Sequence, residues 1–282
     1  MLKKIANTQI FVALCASLLS AETFIIVSQE INWEVLIIVF LATLFIYNAS
    51  QINVALIANE KGAKNKLSFE GSSYQLSVCA GSIIILFFML TGCNRNQVLV
   101  FMASAFCSLI YMMPFKINDR RVKGLRNNLV VKNILLSAIW ALATVLFPII
   151  GNSGEINGNE IIFMFLRRFF FIYALTLVFD IRDIEKDRLS GMKTIASRLG
   201  VPGTRLVATI ALMIFCILVY IDFNLYQPEY QFLANALYGS ALFAFLTIVM
   251  AGPQRNNNYY SFVVDGAMAL QFLLVFIFNQ TQ

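Results

Sequence analysis

Residues 160–180 read EIIFMFLRRFFFIYALTLVFD and run without a break into Asp180–Gly200, DIRDIEKDRLSGMKTIASRLG. The first part is an apolar stretch as long as a membrane-crossing helix, which needs roughly 20 mostly apolar residues. The second is dense in charge and follows the apolar part directly. Such a junction marks a chain leaving a bilayer, and the rest of the sequence repeats it.

Working outward, apolar runs also occupy residues 8–27, 35–57, 73–92, 97–114, 128–150, 203–221, 233–251 and 259–279. With 160–180 they predict an all-α, polytopic membrane protein of about nine transmembrane helices, forming a single domain over residues 1–282. Only 13% of the chain is charged, where a soluble domain carries about 25%, and mean hydropathy is +0.76. Residues 1–22 open like a secretory leader but lack a good small-x-small cleavage site, so a retained first span is expected.

Most of the basic residues follow the even-numbered runs. Lys61, Lys64 and Lys66 come after the second, and Lys116, Arg120, Arg121, Lys123 and Arg126 after the fourth. Arg182, Lys186, Arg188, Lys193, Arg198 and Arg205 follow the sixth, and Arg255 follows the eighth. Residues 28–34 and 222–230 have no Lys or Arg. Because cytoplasmic loops collect Lys and Arg, the expectation is a multi-pass protein of a bacterial inner membrane with a cytoplasmic N-terminus. The net charge of +6 then reflects topology and membrane lipid, not nucleic acid. Histidine is absent, which removes the commonest general base. Five scattered cysteines show no C-x-x-C spacing and read as packing residues. No soluble partner is indicated.

Asp180, Asp183 and Asp187 fall at i, i+3 and i+7, one face of a helix. Three close carboxylates repel unless a cation sits among them. Magnesium suits them, since it prefers oxygen ligands and shares its shell with substrate phosphates. Lys193 and Arg198 lie just beyond, within reach of phosphate oxygens. The charge pattern alone is equally compatible with a solvated, mixed-charge helix at a membrane exit.

The order D-x-x-D-x-x-x-D-x-x-x-G-x-K-T resembles the second aspartate-rich motif of the UbiA superfamily of intramembrane prenyltransferases. Its wording is most similar to the quinone-biosynthesis branch that prenylates dihydroxynaphthoate or related aromatic acids. Tyr111-Met112-Met113-Pro114-Phe115-Lys116 and the basic residues after it resemble that family's Tyr-x-x-Pro element and basic loop. The resemblance implies a transferase moving a prenyl group from a polyprenyl diphosphate to an aromatic or other small acceptor. Asp180, Asp183 and Asp187 would be the catalytic, Mg2+-holding residues. Asn48, Lys116, Arg120, Arg121, Lys123, Arg126 and Lys193 would contact the diphosphate. Guanidinium forks match phosphate oxygens physically, although such charges also serve lipid headgroups.

One departure stands out. The family's first motif, N-D-x-x-D-x-x-x-D, aligns with Tyr47-Asn48-Ala49-Ser50-Gln51-Ile52-Asn53-Val54-Ala55-Leu56, so aliphatic Ile52 and Leu56 occupy metal-ligand positions. A non-catalytic isoprenoid-lipid-binding or transport protein on the same fold is therefore the alternative reading.

Glu22, Arg167, Arg168 and Asp265 fall in or beside spans, where charge is costly and usually faces a cavity or a partner. Snorkelling toward the outer surface is the expected fate of at least one of the two arginines. Asp265 is a candidate to line the same cavity as the sixth span. The run Phe169–Phe171 reads mainly as helix packing, with a prenyl-chain tunnel as the sharper possibility.

Overall fold

The computed structural model describes residues 9–60, 69–112, 116–117, 120–121, 131–150, 156–189 and 194–281. Among them the chain is helical except for turns and a two-residue ladder. The helices are α1 (Ile10–Ile26), α2 (Trp33–Glu60), α3 (Phe69–Leu90), α4 (Arg95–Met112), α5 (Val131–Ile150), α6 (Gly158–Leu189), α7 (Ile195–Ile221), α8 (Gln231–Met250) and α9 (Tyr259–Gln280). Six of these, α2 and α5 to α9, are long and apolar enough to cross a membrane, and Ile10–Ile26 and Gln75–Leu90 are shorter apolar helices. The protein is an integral, all-α membrane protein, as the apolar runs predict.

Asparagines open several helices. The Asn32 side chain accepts from the Glu34 and Val35 amides at 3.0 and 3.3 Å. At α4, Asn94 and Gln97 exchange side chain-to-amide bonds of 2.8 and 3.1 Å, a reciprocal capping box. These caps satisfy amide groups that no preceding turn can reach.

The helices close on one another. α1 packs against α2 and α9, so the first and last helices meet, and α6 against α7 is the most extensive pairing. α1 is the innermost element: Ala13, Cys15, Leu19 and Ser20 are fully buried. Its link to α5 has a traceable cause. Pro148 lacks an amide hydrogen and cannot bond the carbonyl four residues back, at Thr144. α5 widens into a π turn over Leu142–Leu146, and the Thr23 hydroxyl of α1 donates to the Thr144 carbonyl at 2.7 Å.

The intramembrane charges do not snorkel. Arg167 and Arg168 are each only 3% exposed. Arg168 meets Glu22 of α1 at 3.2 Å and also donates to the Leu19 carbonyl at 3.0 Å. Arg167 faces Asp222 at 3.2 Å and lies over the Phe223 ring. Sequence spacing along α6 put the pair near an outer face, but it could not reveal acids arriving from α1 and the end of α7. Desolvated charge is held by pairing, so breaking a pair is costly. Gln271 of α9 adds a 3.4 Å contact to Glu22, tying α1, α6 and α9 together.

Candidate functional site

α6 positions the acidic motif. Its 32 residues extend about 48 Å at 1.5 Å per residue, longer than the roughly 30 Å hydrocarbon core. The Asp180–Leu189 end is thus a continuous extension of a span. Beyond it, the Thr194 side chain accepts from the Ser197 amide at 3.1 Å, while the Ser197 hydroxyl accepts from the Thr194 amide at 2.8 Å, giving α7 a firm start. Gly200, at φ 68°, then breaks the helix ahead of Pro202. A positive φ favours glycine, so the terminal glycine of the motif sets a kink.

Each aspartate has a distinct environment. Asp180 is 1% exposed. One oxygen accepts from Lys132 Nζ at 2.6 Å and the other from Asn133 Nδ2 at 2.8 Å, both from α5. Asp183, half-buried, takes both ends of the Arg182 guanidinium at 3.2 and 2.7 Å, with Lys186 Nζ at 3.5 Å. Asp187 is buried and interacts with Lys132, Asp180 and Thr194. The Arg182 guanidinium lies over Phe179 and over Tyr260 of α9, 5.0 and 5.5 Å from the ring centres.

As donors, these carboxylates suit a hard cation. Among the described residues, however, no three acidic, cysteine or histidine side chains converge as a ready-made metal cage. Magnesium is commonly held by one or two carboxylates together with substrate phosphates and water. The donor set fits that mode, in which the diphosphate supplies part of the shell.

The remaining sequence-predicted positions divide. Asn48 is buried in α2, its Nδ2 donating to the Leu44 carbonyl at 2.8 Å. Two turns of chemistry lie beside it: the Ser50 hydroxyl donates to the Tyr47 carbonyl at 2.8 Å, and Gln51 accepts from Gln75 of α3 at 2.7 Å. Ile52 is half-buried, and the Leu56 side chain lies outside the described residues. Lys116 and Arg121 are register partners in the antiparallel ladder Lys116–Ile117 with Arg120–Arg121. The side chains of Lys116, Arg120 and Arg121 lie outside the described residues, as do Lys123, Arg126 and Lys193 altogether.

Sequence reasoning missed Lys132 and Asn133. The available signal was a lysine just inside a span, a costly placement that implies a partner.

A model of the UbiA prenyltransferase family matches residues 70–276. No curated protein matches the chain. A UbiA homologue from Archaeoglobus fulgidus superposes with a TM-score of 0.66 at 15% identity, covering 99% of both chains. A structure of a UbiA homologue from the same organism bound to GPP and Mg2+ gives 0.65 at 13% identity, over 98% of this chain and 99% of that one. A digeranylgeranylglyceryl phosphate synthase structure gives 0.62 at 14% identity over the whole of both chains. The helical architecture and the match to more than half of the sequence agree: this chain belongs to the UbiA prenyltransferase family.

Proposed function

We propose that this protein is a membrane-embedded prenyltransferase that moves a prenyl group from a polyprenyl diphosphate to a small acceptor. The observation that carries this reading is the Asp180–Lys132–Asn133 cluster beside Asp183 and Asp187. It places carboxylates and a cation together at one end of a bundle whose relative from Archaeoglobus fulgidus is described bound to GPP and Mg2+.

Asp180, Asp183 and Asp187 are the carboxylates that would hold magnesium brought in with the diphosphate. The ion, when bound, neutralises charge on the leaving diphosphate. Lys132 supplies a second positive charge from α5. That contribution matters because Ile52 and Leu56 cannot ligate a metal in the first motif. Lys116, Arg120, Arg121, Lys123, Arg126 and Lys193 are the basic residues that would contact the diphosphate, and Asn48 is the surviving polar group of the first motif. In the reaction the bond between prenyl C1 and oxygen breaks, and its electron pair leaves with the diphosphate. The acceptor donates a pair to C1 and loses a proton. The excess of Lys and Arg in the loops after even-numbered spans supports a cytoplasmic location for the acidic motif and the N-terminus.

A second reading has one specific observation in its favour. Both oxygens of Asp180 are occupied by Lys132 and Asn133, and the first motif is aliphatic at two ligand positions. A protein that binds isoprenoid diphosphates or lipids without turnover would have these features. Purified protein in lipid nanodiscs, given a polyprenyl diphosphate, magnesium and a broad acceptor panel, separates the two. Acceptor-dependent diphosphate release supports the transferase, and binding without release supports the carrier.

A further inference from the structure

Arg168 lies roughly 18 Å before Asp180 along α6, at 1.5 Å per residue, so the charges around it take no part in the acidic motif. They border a small cavity of ≈ 10 Å³ between α1, α6, α7, α8 and α9. Glu22, Arg167, Arg168 and Gln271 form its polar wall, and apolar side chains that include Phe215 and Leu237 close it. Every residue lining it is 3% exposed or less, so neither lipid nor bulk water reaches it.

The protein does not satisfy this polar wall by itself. Arg167 Nη2 lies 3.2 Å from Asp222 Oδ2, yet neither atom makes a hydrogen bond. Among the described residues, Arg167 Nη1 and Gln271 Oε1 have no hydrogen-bond partner either. A buried donor or acceptor left unmade carries its full desolvation cost, and a charged group carries more than a neutral one. Glu22 completes the wall. Its Oε2 accepts from Arg168 Nη1 at 3.2 Å, whereas among the described residues its Oε1 has only a long 3.4 Å contact from Gln271 Nε2. A donor on Arg167, an acceptor on Gln271 and spare accepting capacity on Glu22 thus border one space.

We propose that this cavity is a binding site for one water molecule, which accepts from Arg167 Nη1 and donates to Gln271 Oε1 and Glu22 Oε1. Three hydrogen bonds are the usual complement of a buried water, and the cavity has about the room that one water needs. Charge and size both select that ligand. Glu22 and Asp222 balance Arg168 and Arg167, so a small anion finds no net positive charge, and a metal cation would meet two guanidinium groups. An organic molecule does not fit the volume. The water joins the Glu22–Arg168 and Arg167–Asp222 pairs into one network, which ties α1 and α9 to α6 and the end of α7. A buried network with every member satisfied rigidifies its surroundings. The site stands whether or not the protein is a transferase.

The test is a crystal structure of the full chain grown in a lipid mesophase, at a resolution that shows ordered waters, repeated with bromide in place of chloride. The expected result is one water-sized density peak within hydrogen-bond distance of Arg167 Nη1 and Gln271 Oε1, without an anomalous bromide signal. An empty cavity, a side chain folded into it, or a bromide peak overturns the assignment. Q271M removes the acceptor while nearly keeping the side-chain volume, and its structure, solved in the same way, should lose the peak. A peak that stays in place in Q271M also overturns the assignment, because Gln271 then does not hold the water. The wild-type crystals decide the question even where Q271M fails to fold.

Discussion

Lys132 Nζ lies 2.6 Å from Asp180 Oδ1, joining α5 to the first aspartate of the α6 motif. The pair is shielded, with the Asp180 side chain 2% and the Lys132 side chain 19% exposed, and charge-assisted contacts of this length are among the stronger hydrogen bonds. In the proposed transferase this cation would offset part of the diphosphate charge that Ile52 and Leu56 leave without a metal ligand.

Removing that cation should therefore weaken diphosphate binding. K132M is expected to raise the Kd for a polyprenyl diphosphate by about tenfold or more, the cost of losing one charge-assisted contact. K132R, which keeps the charge, should recover a substantial part of the loss. Titration of the ligand against both variants in nanodiscs checks this.

Neutralising the motif itself should act on metal dependence. D183N/D187N is expected to abolish the magnesium-dependent component of diphosphate binding and to lower release by about 100-fold or more, because one metal contribution amounts to several kcal/mol. Chelating magnesium from the wild type should reproduce the binding defect, and a binding isotherm unchanged by chelation would contradict it.

The Glu22–Arg168 pair predicts a stability effect with no bearing on metal. E22Q leaves the buried Arg168 guanidinium without its counter-charge and should cost about 3–5 kcal/mol. The double variant E22Q/R168M, which removes both charges, should be more stable than E22Q alone. Thermal melts in nanodiscs report both.

Thr194 caps α7 through the Ser197 amide. T194A is expected to cost about 1 kcal/mol, the usual loss for an N-cap hydroxyl, and to loosen the segment that follows the motif. Hydrogen exchange at Ser197 and Arg198 should rise, with little change in the outer half of the bundle.

Much of this architecture is legible in the sequence because a bilayer leaves few choices. Residues 160–180 have to form a helix if they cross hydrocarbon, since every backbone group must be satisfied internally. The spacing of Asp180, Asp183 and Asp187 likewise sets the carboxylates near one another once the helix continues past the span. What could not be read were partners from distant segments. Asp222 reaches Arg167 from the end of α7, and Glu22 reaches Arg168 across 146 positions of chain. Lys132 was hidden for the same reason: it lies 48 positions from Asp180, and nothing local indicates that α5 and α6 pack side by side. The π turn at Tyr259–Val264 was equally illegible, with no proline or glycine inside it to announce it.

The most direct test of the central claim is magnesium-dependent binding of a polyprenyl diphosphate to the purified protein, followed in the same sample by diphosphate release on adding acceptors. The account predicts saturable binding that disappears on chelation, then release once a suitable acceptor is present. Binding that ignores magnesium, or no binding at all, would contradict it and leave the Asp180–Asp187 face as a solvated helix end.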